Sequence, residues 1–229
     1  MSTDLMFYKR KIISGLSCIL AFFMSAVFVY AYLLSHAESI YVGKNFYFII
    51  SRAAHSEVGI FQTQFDGGAG YVLTMENEEC VVISVYLNET EGRAVHSVLT
   101  NTGVDCEIRA VSVEALYFKT EEEKNNKAAY IGAFRCLYQY ALLLEKEISR
   151  LVKGGTQQSC KEFLVILSKQ FDYLSSRYCA LYKGFAAYCQ KIADDLAGKA
   201  EKTVYASELR YMLCDLCVHY VDFAGAFAL

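Results

Sequence analysis

The chain of 229 residues contains no proline. That excludes polyproline spacers, PxxP ligands and a native cis-proline switch. Excess positive charge is missing too. Lys and Arg total 22 against 25 Asp and Glu, a net charge of −3, which gives no electrostatic case for nucleic acid as a partner. Only four histidines are present, and His36, His55 and His96 have no nearby Ser, Cys or Asp arrangement of a catalytic set. No phosphate loop, HExxH or Gly-x-Ser-x-Gly pattern occurs. These absences predict no catalytic residue, no metal site, no cofactor and no enzyme. What the chain does carry is apolar surface, with 55% hydrophobic and 14% aromatic residues. Wholesale disorder is excluded, and the length suits one or two domains with their own cores.

Residues 12–34 form an unbroken run of 23 residues without a charged side chain or histidine. As a helix the run would extend roughly 35 Å, enough to cross a hydrocarbon core of about 30 Å. Lys9, Arg10 and Lys11 precede it, whereas residues 35–45 offer only His36, Glu38 and Lys44. The positive-inside rule then keeps residues 1–11 in the cytoplasm and places everything after Ser35 outside, as a single-pass protein of the plasma membrane. Ser35-His36-Ala37 has the small residues of a signal-peptidase site, so removal of the anchor is the competing outcome. Cys18 lacks the aliphatic residue three positions earlier that a lipid-attachment site requires, and reads as a small apolar residue.

After a tether at 35–44, the periodicity changes. Residues 45–50 read as a central strand and 56–65 as a helix stopped by Asp66-Gly67-Gly68-Ala69-Gly70. Residues 71–75 and 80–87 form a hairpin about Glu76-Asn77-Glu78-Glu79. Asn88 precedes Glu91 by three positions and starts a second helix, and Val104, Cys106, Ile108 and Ala110 alternate as a fourth strand. The order β-α-β-β-α-β is the split βαβ arrangement of ferredoxin-like domains, here spanning 45–116. Two helices are expected to cover one sheet face and leave the other open.

This segment resembles the sporulation-related repeat, or SPOR, domain of bacterial envelope proteins. The resemblance lies in the element order, the length, the single membrane pass, Gly67-Gly68-Ala69-Gly70-Tyr71 and Val82-Ile83-Ser84-Val85-Tyr86-Leu87-Asn88-Glu89. Where the family usually carries a Gln-Val-Gly-Ser-Phe type run, this chain has Ile49-Ile50-Ser51-Arg52-Ala53. The resemblance implies binding of peptidoglycan glycan strands, stripped of stem peptides, on the open sheet face at division or sporulation septa. Residues 41–117 hold four Lys/Arg against ten Asp/Glu, which repels polyanions and leaves stacking and hydroxyl contacts for neutral sugars. Tyr47, Ser51, Tyr71, Ser84 and Tyr86 are the candidate glycan contacts. The same tyrosines could instead shield the sheet or dock the next domain.

From Thr120 onward three apolar stripes recur at steps of three and four, the second running without interruption from Leu164 to Ile192. They predict an antiparallel three-helix bundle over 119–229, with a break near 198–203. Its charges nearly balance, at 15 Lys/Arg and 13 Asp/Glu from Phe118 onward. Eight of the nine cysteines lie beyond the anchor. Cys80 and Cys106, on strands flanking the first, would be roughly 10 Å apart and too far to bridge. Cys214-Asp215-Leu216-Cys217 with His219 is the one cluster with a chemical look, but it lies inside a helix without a second cysteine pair, and reads as small core residues. The expected function is binding: glycan on the open sheet and another envelope protein on the bundle. The alternative is a structural or assembly protein whose fold has lost the ligand and whose bundle mediates protein–protein or self-association.

Overall fold

The computed structural model describes residues 38–51, 60, 63–64, 67–75 and 78–228. The apolar run at 12–34 and most of the expected helix at 56–65 lie outside them, although Ile60, Thr63 and Gln64 are helical. Among the described residues no helix is long and apolar enough to cross a membrane.

The architecture is mixed α+β. A four-stranded antiparallel sheet is built from β1 (Glu38–Ser51), β2 (Tyr71–Met75), β3 (Glu78–Tyr86) and β4 (Cys106–Phe118), in the order β2-β3-β1-β4. The third and fourth strands therefore flank the first, as expected, and Cys80 and Cys106 are both free thiols. The expected tether is a correction: residues 38–41 and Lys44 are already strand, paired with Val113 and residues 115–118 of β4. Pairing on this stretch is irregular between Tyr41 and Lys44, where Gly43 takes φ 51°. That left-handed backbone favours glycine here, while the Tyr41 ring lying over it is exposed and free to move.

The two sheet faces differ in chemistry, and that difference decides what covers them. Phe46, Phe48 and Ile50 point to one side, with Val82, Val85, Leu116 and Phe118 beside them in the same core. Tyr47, Ile49 and Ser51 point to the other. A shift in the β1–β3 register, Ile49 opposite Ser84 but Ile50 opposite Val82, leaves Ile83 as the extra residue of a bulge. It keeps both Val82 and Val85 on the apolar side.

Helix α1 (Glu89–Asn101) lies on the hydroxyl-bearing face. Asn88 caps it by accepting from the Thr90 and Glu91 amides at 2.8 and 3.2 Å, the capping role expected for this asparagine. Gly92 permits the close approach. A Cβ there would meet the Tyr47 Cβ and Ile108 Cδ1 at 3.3 Å.

The more apolar face takes the larger layer. Its helices are α2 (Glu121–Asn125), α3 (Lys127–Val152), α4 (Gln157–Tyr178), α5 (Lys183–Ala200) and α6 (Ala206–Gly225). Thr120 and Glu123 form the capping box expected at the start of α2. The three-helix bundle is corrected, because the expected second helix is a hairpin of α4 and α5. The chain turns at 179–182, where the Tyr178 carbonyl accepts from both the Leu181 and Tyr182 amides. Ser168 Oγ donates to the Ala193 carbonyl across the hairpin at 2.8 Å. Tyr178, Leu181, Phe185 and Tyr188 keep the heptad rhythm through the turn, so periodicity alone carries no mark of it. The break between 200 and 206 falls where expected.

Sheet and helices share one buried cluster that runs from Phe46 to Phe227. Phe46 packs against Tyr138 of α3 and Tyr220 of α6, at ring-centroid distances of 6.3 and 5.2 Å. Phe118 packs against Tyr130 and Phe227, and the Tyr117 amide donates to the Phe227 carbonyl at 2.7 Å. Such a core unfolds as a unit. Phe46→Ala is expected to cost about 3–5 kcal/mol. Urea denaturation of the full chain in detergent, followed by far-ultraviolet dichroism and tyrosine fluorescence, should show both signals shifting together. Two separated transitions would contradict the shared core.

Candidate functional site

The five residues expected to face glycan do not share a surface. Tyr47 and Tyr86 are cross-strand partners beneath α1, each half-buried, and the Tyr47 hydroxyl donates to Glu89 Oε2 at 3.4 Å. Ser84 sits opposite Ile49 on the same side and is 4% exposed. Ser51, half-buried, ends β1 between Val81 and Cys106. Tyr71 is on the opposite face, its hydroxyl donating to Asp215 Oδ1 at 3.3 Å and its ring 5.0 Å from that of Tyr211. The face expected to be open is the one covered by α3 and α6. One signal in the sequence separates the faces: Phe46, Phe48 and Ile50 form a fully apolar stripe, whereas Tyr47 and Ser51 carry hydroxyls. The stripe without polar groups loses most by staying in water and so takes the helical layer.

Ser84 and Tyr86 nevertheless border the principal concavity, a cleft of about 330 Å³. It opens because β2 is short. The β2–β3 ladder ends at Tyr71 opposite Val82, so no strand lies beside β3 over its last residues. Helix α1 closes the cleft on one side and α3 with α6 on the other. Val95, Ile148, Val152 and Leu213 supply apolar wall, and Glu91, Glu145, Lys153 and Arg210 supply charge. Glu145 Oε1 accepts from the Leu87 amide at 3.1 Å. Burial, and to a lesser degree the Glu91 carboxylate, push the Glu145 carboxyl above its usual range. Ser84 Oγ is buried with no hydrogen-bond partner among the described residues. Leaving such a group unpaired costs about 1–3 kcal/mol, which an apolar residue of the same size would avoid.

A second polar cluster stitches β2 to the helices around a buried carboxylate. Asp215 is 7% exposed and accepts from Tyr71 and from the Tyr188 hydroxyl at 3.2 Å. His219 stacks on Tyr188 with ring centroids 4.0 Å apart and places Nδ1 2.9 Å from the Asp215 carbonyl. The chemical-looking cysteine pair lies beside it, and Cys214 and Cys217 are wholly buried, both thiols pushed up chiefly by burial. A reactive thiol needs the opposite, exposure and a lowered pKa. Among the described residues no group of three or more His, Cys, Asp or Glu is placed to hold a metal ion. His96 meets the Cys106 carbonyl at 3.2 Å, a contact that fixes α1 to β4.

The chain matches no protein-family model, no curated protein and no solved structure.

The tyrosine seam sets a pH dependence. Burial first, then the Asp215 charge, raises the Tyr71 and Tyr188 hydroxyls above the usual tyrosine range, and Tyr140 is pushed up to about 12, again mainly by burial. In the unfolded chain these groups lose protons near pH 10. Above that pH the folded state binds more protons than the unfolded one, so stability falls as pH rises. Alkaline titration followed by ultraviolet difference absorbance is expected to show a subset of tyrosines ionising only in the unfolding transition. Smooth ionisation of all tyrosines near pH 10, with the fold intact, would contradict the seam.

Proposed function

We propose that this chain is a membrane-anchored cell-envelope protein that acts through protein–protein contact, with its sheet serving as the base for its own helices. The observation that carries this reading is the covered sheet face: Phe46, Leu116 and Phe118 are 0% exposed beneath the helical layer. A glycan-recognising sheet of the SPOR type needs that face in water. The setting rests on the apolar run at 12–34 and on the SPOR resemblance. With β1 beginning at Glu38, three residues separate the run from the sheet, a span of about 10 Å at most. A site held so close to the bilayer suits a lateral partner within the membrane plane.

The outer surface of α3 and α4 supports assembly. Leu143, Ile166 and Tyr173 are 44%, 62% and 56% exposed, and the Tyr140 hydroxyl donates to Gln170 Oε1 at 3.3 Å, which holds the two helices side by side there. Apolar and aromatic side chains left in water on neighbouring helices are what protein interfaces use. The full chain in detergent is expected to sediment as a dimer or larger, and Ile166→Lys to weaken that association on the order of tenfold or more. It is expected not to enrich on purified peptidoglycan, with or without stem peptides. Enrichment on the stripped glycan, lost in Tyr86→Ala, would overturn the assembly reading in favour of glycan recognition.

A further inference from the structure

The cleft beside β3 sorts its charges by sign along its length. Glu145 and Lys153 are eight residues apart on α3, about 12 Å along the helix. Glu91, from the first turn of α1, joins the Glu145 end, where burial first and then the Glu91 charge hold the Glu145 carboxyl above its usual range. Helix α6 runs antiparallel to α3, with Tyr220 against Tyr138, which sets Arg210 level with Ile148 between the two ends, its guanidinium donating to the Gly67 carbonyl. Between the ends the walls are otherwise apolar.

The floor is strand edge. The Leu87 amide turns outward to Glu145, and the Ile83 carbonyl turns outward to accept from the Ala69 amide at 2.7 Å. By the two-residue alternation of an antiparallel strand, the Val85 amide and carbonyl turn the same way, into the cleft. Ser84 Oγ, buried and unpartnered, borders the same space.

We propose that this cleft binds a short apolar peptide of about three residues with both termini free. Three extended residues span about 10 Å, which matches the separation of the acidic and basic ends. The peptide's ammonium meets Glu91 and Glu145, and its carboxylate meets Lys153. Its backbone lies beside Val85 as a short added strand. This goes beyond the assembly reading and does not depend on it, since the cleft lies away from the exposed face of α4.

Calorimetric titration of the full chain in detergent with Ala-Leu-Ala tests the site directly. Binding in the micromolar to millimolar range is expected, weakened about tenfold by N-acetylation and again by C-amidation. Glu91 and Lys153 are exposed, so their variants fold. Glu91→Gln should shrink the penalty of acetylation alone, and Lys153→Gln that of amidation alone, a pattern that loss of structure cannot produce. No heat of binding at millimolar peptide, or equal affinity for free and doubly blocked peptide, would overturn the proposal.

Discussion

The fold depends on the burial of one face of one strand. Phe46, Phe48 and Ile50 are nearly inaccessible, and each would cost about 1.5–3 kcal/mol if left in water. A single helix such as α1 cannot cover them and also fill the hydroxyl-bearing face behind. The two antiparallel helices α3 and α6 can, because Tyr138 and Tyr220 bring rings onto Phe46, and Phe134 and Phe227 back that contact from behind. Lys44 adds its ammonium 4.1 Å from the Tyr138 ring centroid and closes the outer end of the same contact. Hairpin α4–α5 then packs on α3 and α6 rather than on the sheet, which makes the helical region two layers deep.

Polar groups in that interior are placed where the layers meet. Asp215 projects from α6 toward β2 and reaches hydroxyls from the sheet and from α5 together. Glu147 on α3, 7% exposed, is held by Arg150 through Nε at 2.8 Å. Asp215 thereby ties the sheet, α5 and α6 together, whereas the Glu147 charge is neutralised within α3, so neither is orphaned. Ser84 is the exception among the described residues. Ser84 also lines the cleft between α1, α3 and α6.

Local chemistry made much of this legible beforehand. Alternation located all four strands, capping side chains at Asn88 and Thr120 marked two helix starts, and the order of elements led to a sheet in which the first strand is central. Two features were not legible, for different reasons. The turn at 179–182 has no proline, and Gly184 alone lies near it, while the apolar steps continue across it in phase; the hairpin exists because Tyr178, Tyr182 and Phe185 pack their rings on one another, a tertiary event. The covering of the sheet was misjudged because alternation assigns residues to faces but does not say which face attracts the larger layer. The answer was latent in the absence of any hydroxyl among Phe46, Phe48 and Ile50. The cleft had no sequence signal of its own, since its lining comes from four elements far apart in the chain.

Under the membrane-anchored reading proposed above, the short link to residues 12–34 and the covered face bear on each other. If the sheet were a ligand platform on a free tether, its helices would need to leave it to admit a glycan, exposing Phe46, Phe48 and Phe118 at a cost of several kcal/mol. No tether gives that freedom: residues 38–41 are locked into β4 by the ladder, and the Tyr117 amide is tied to the end of α6. The free edge of β3 has no such constraint. It is bordered by α1, α3 and α6, so a short extended chain adding there, as proposed, need not uncover Phe46 or Phe118. Under the proposed readings, recognition is therefore cheaper at the strand edge and on the outside of α3 and α4 than on the broad sheet face that the topology first suggests.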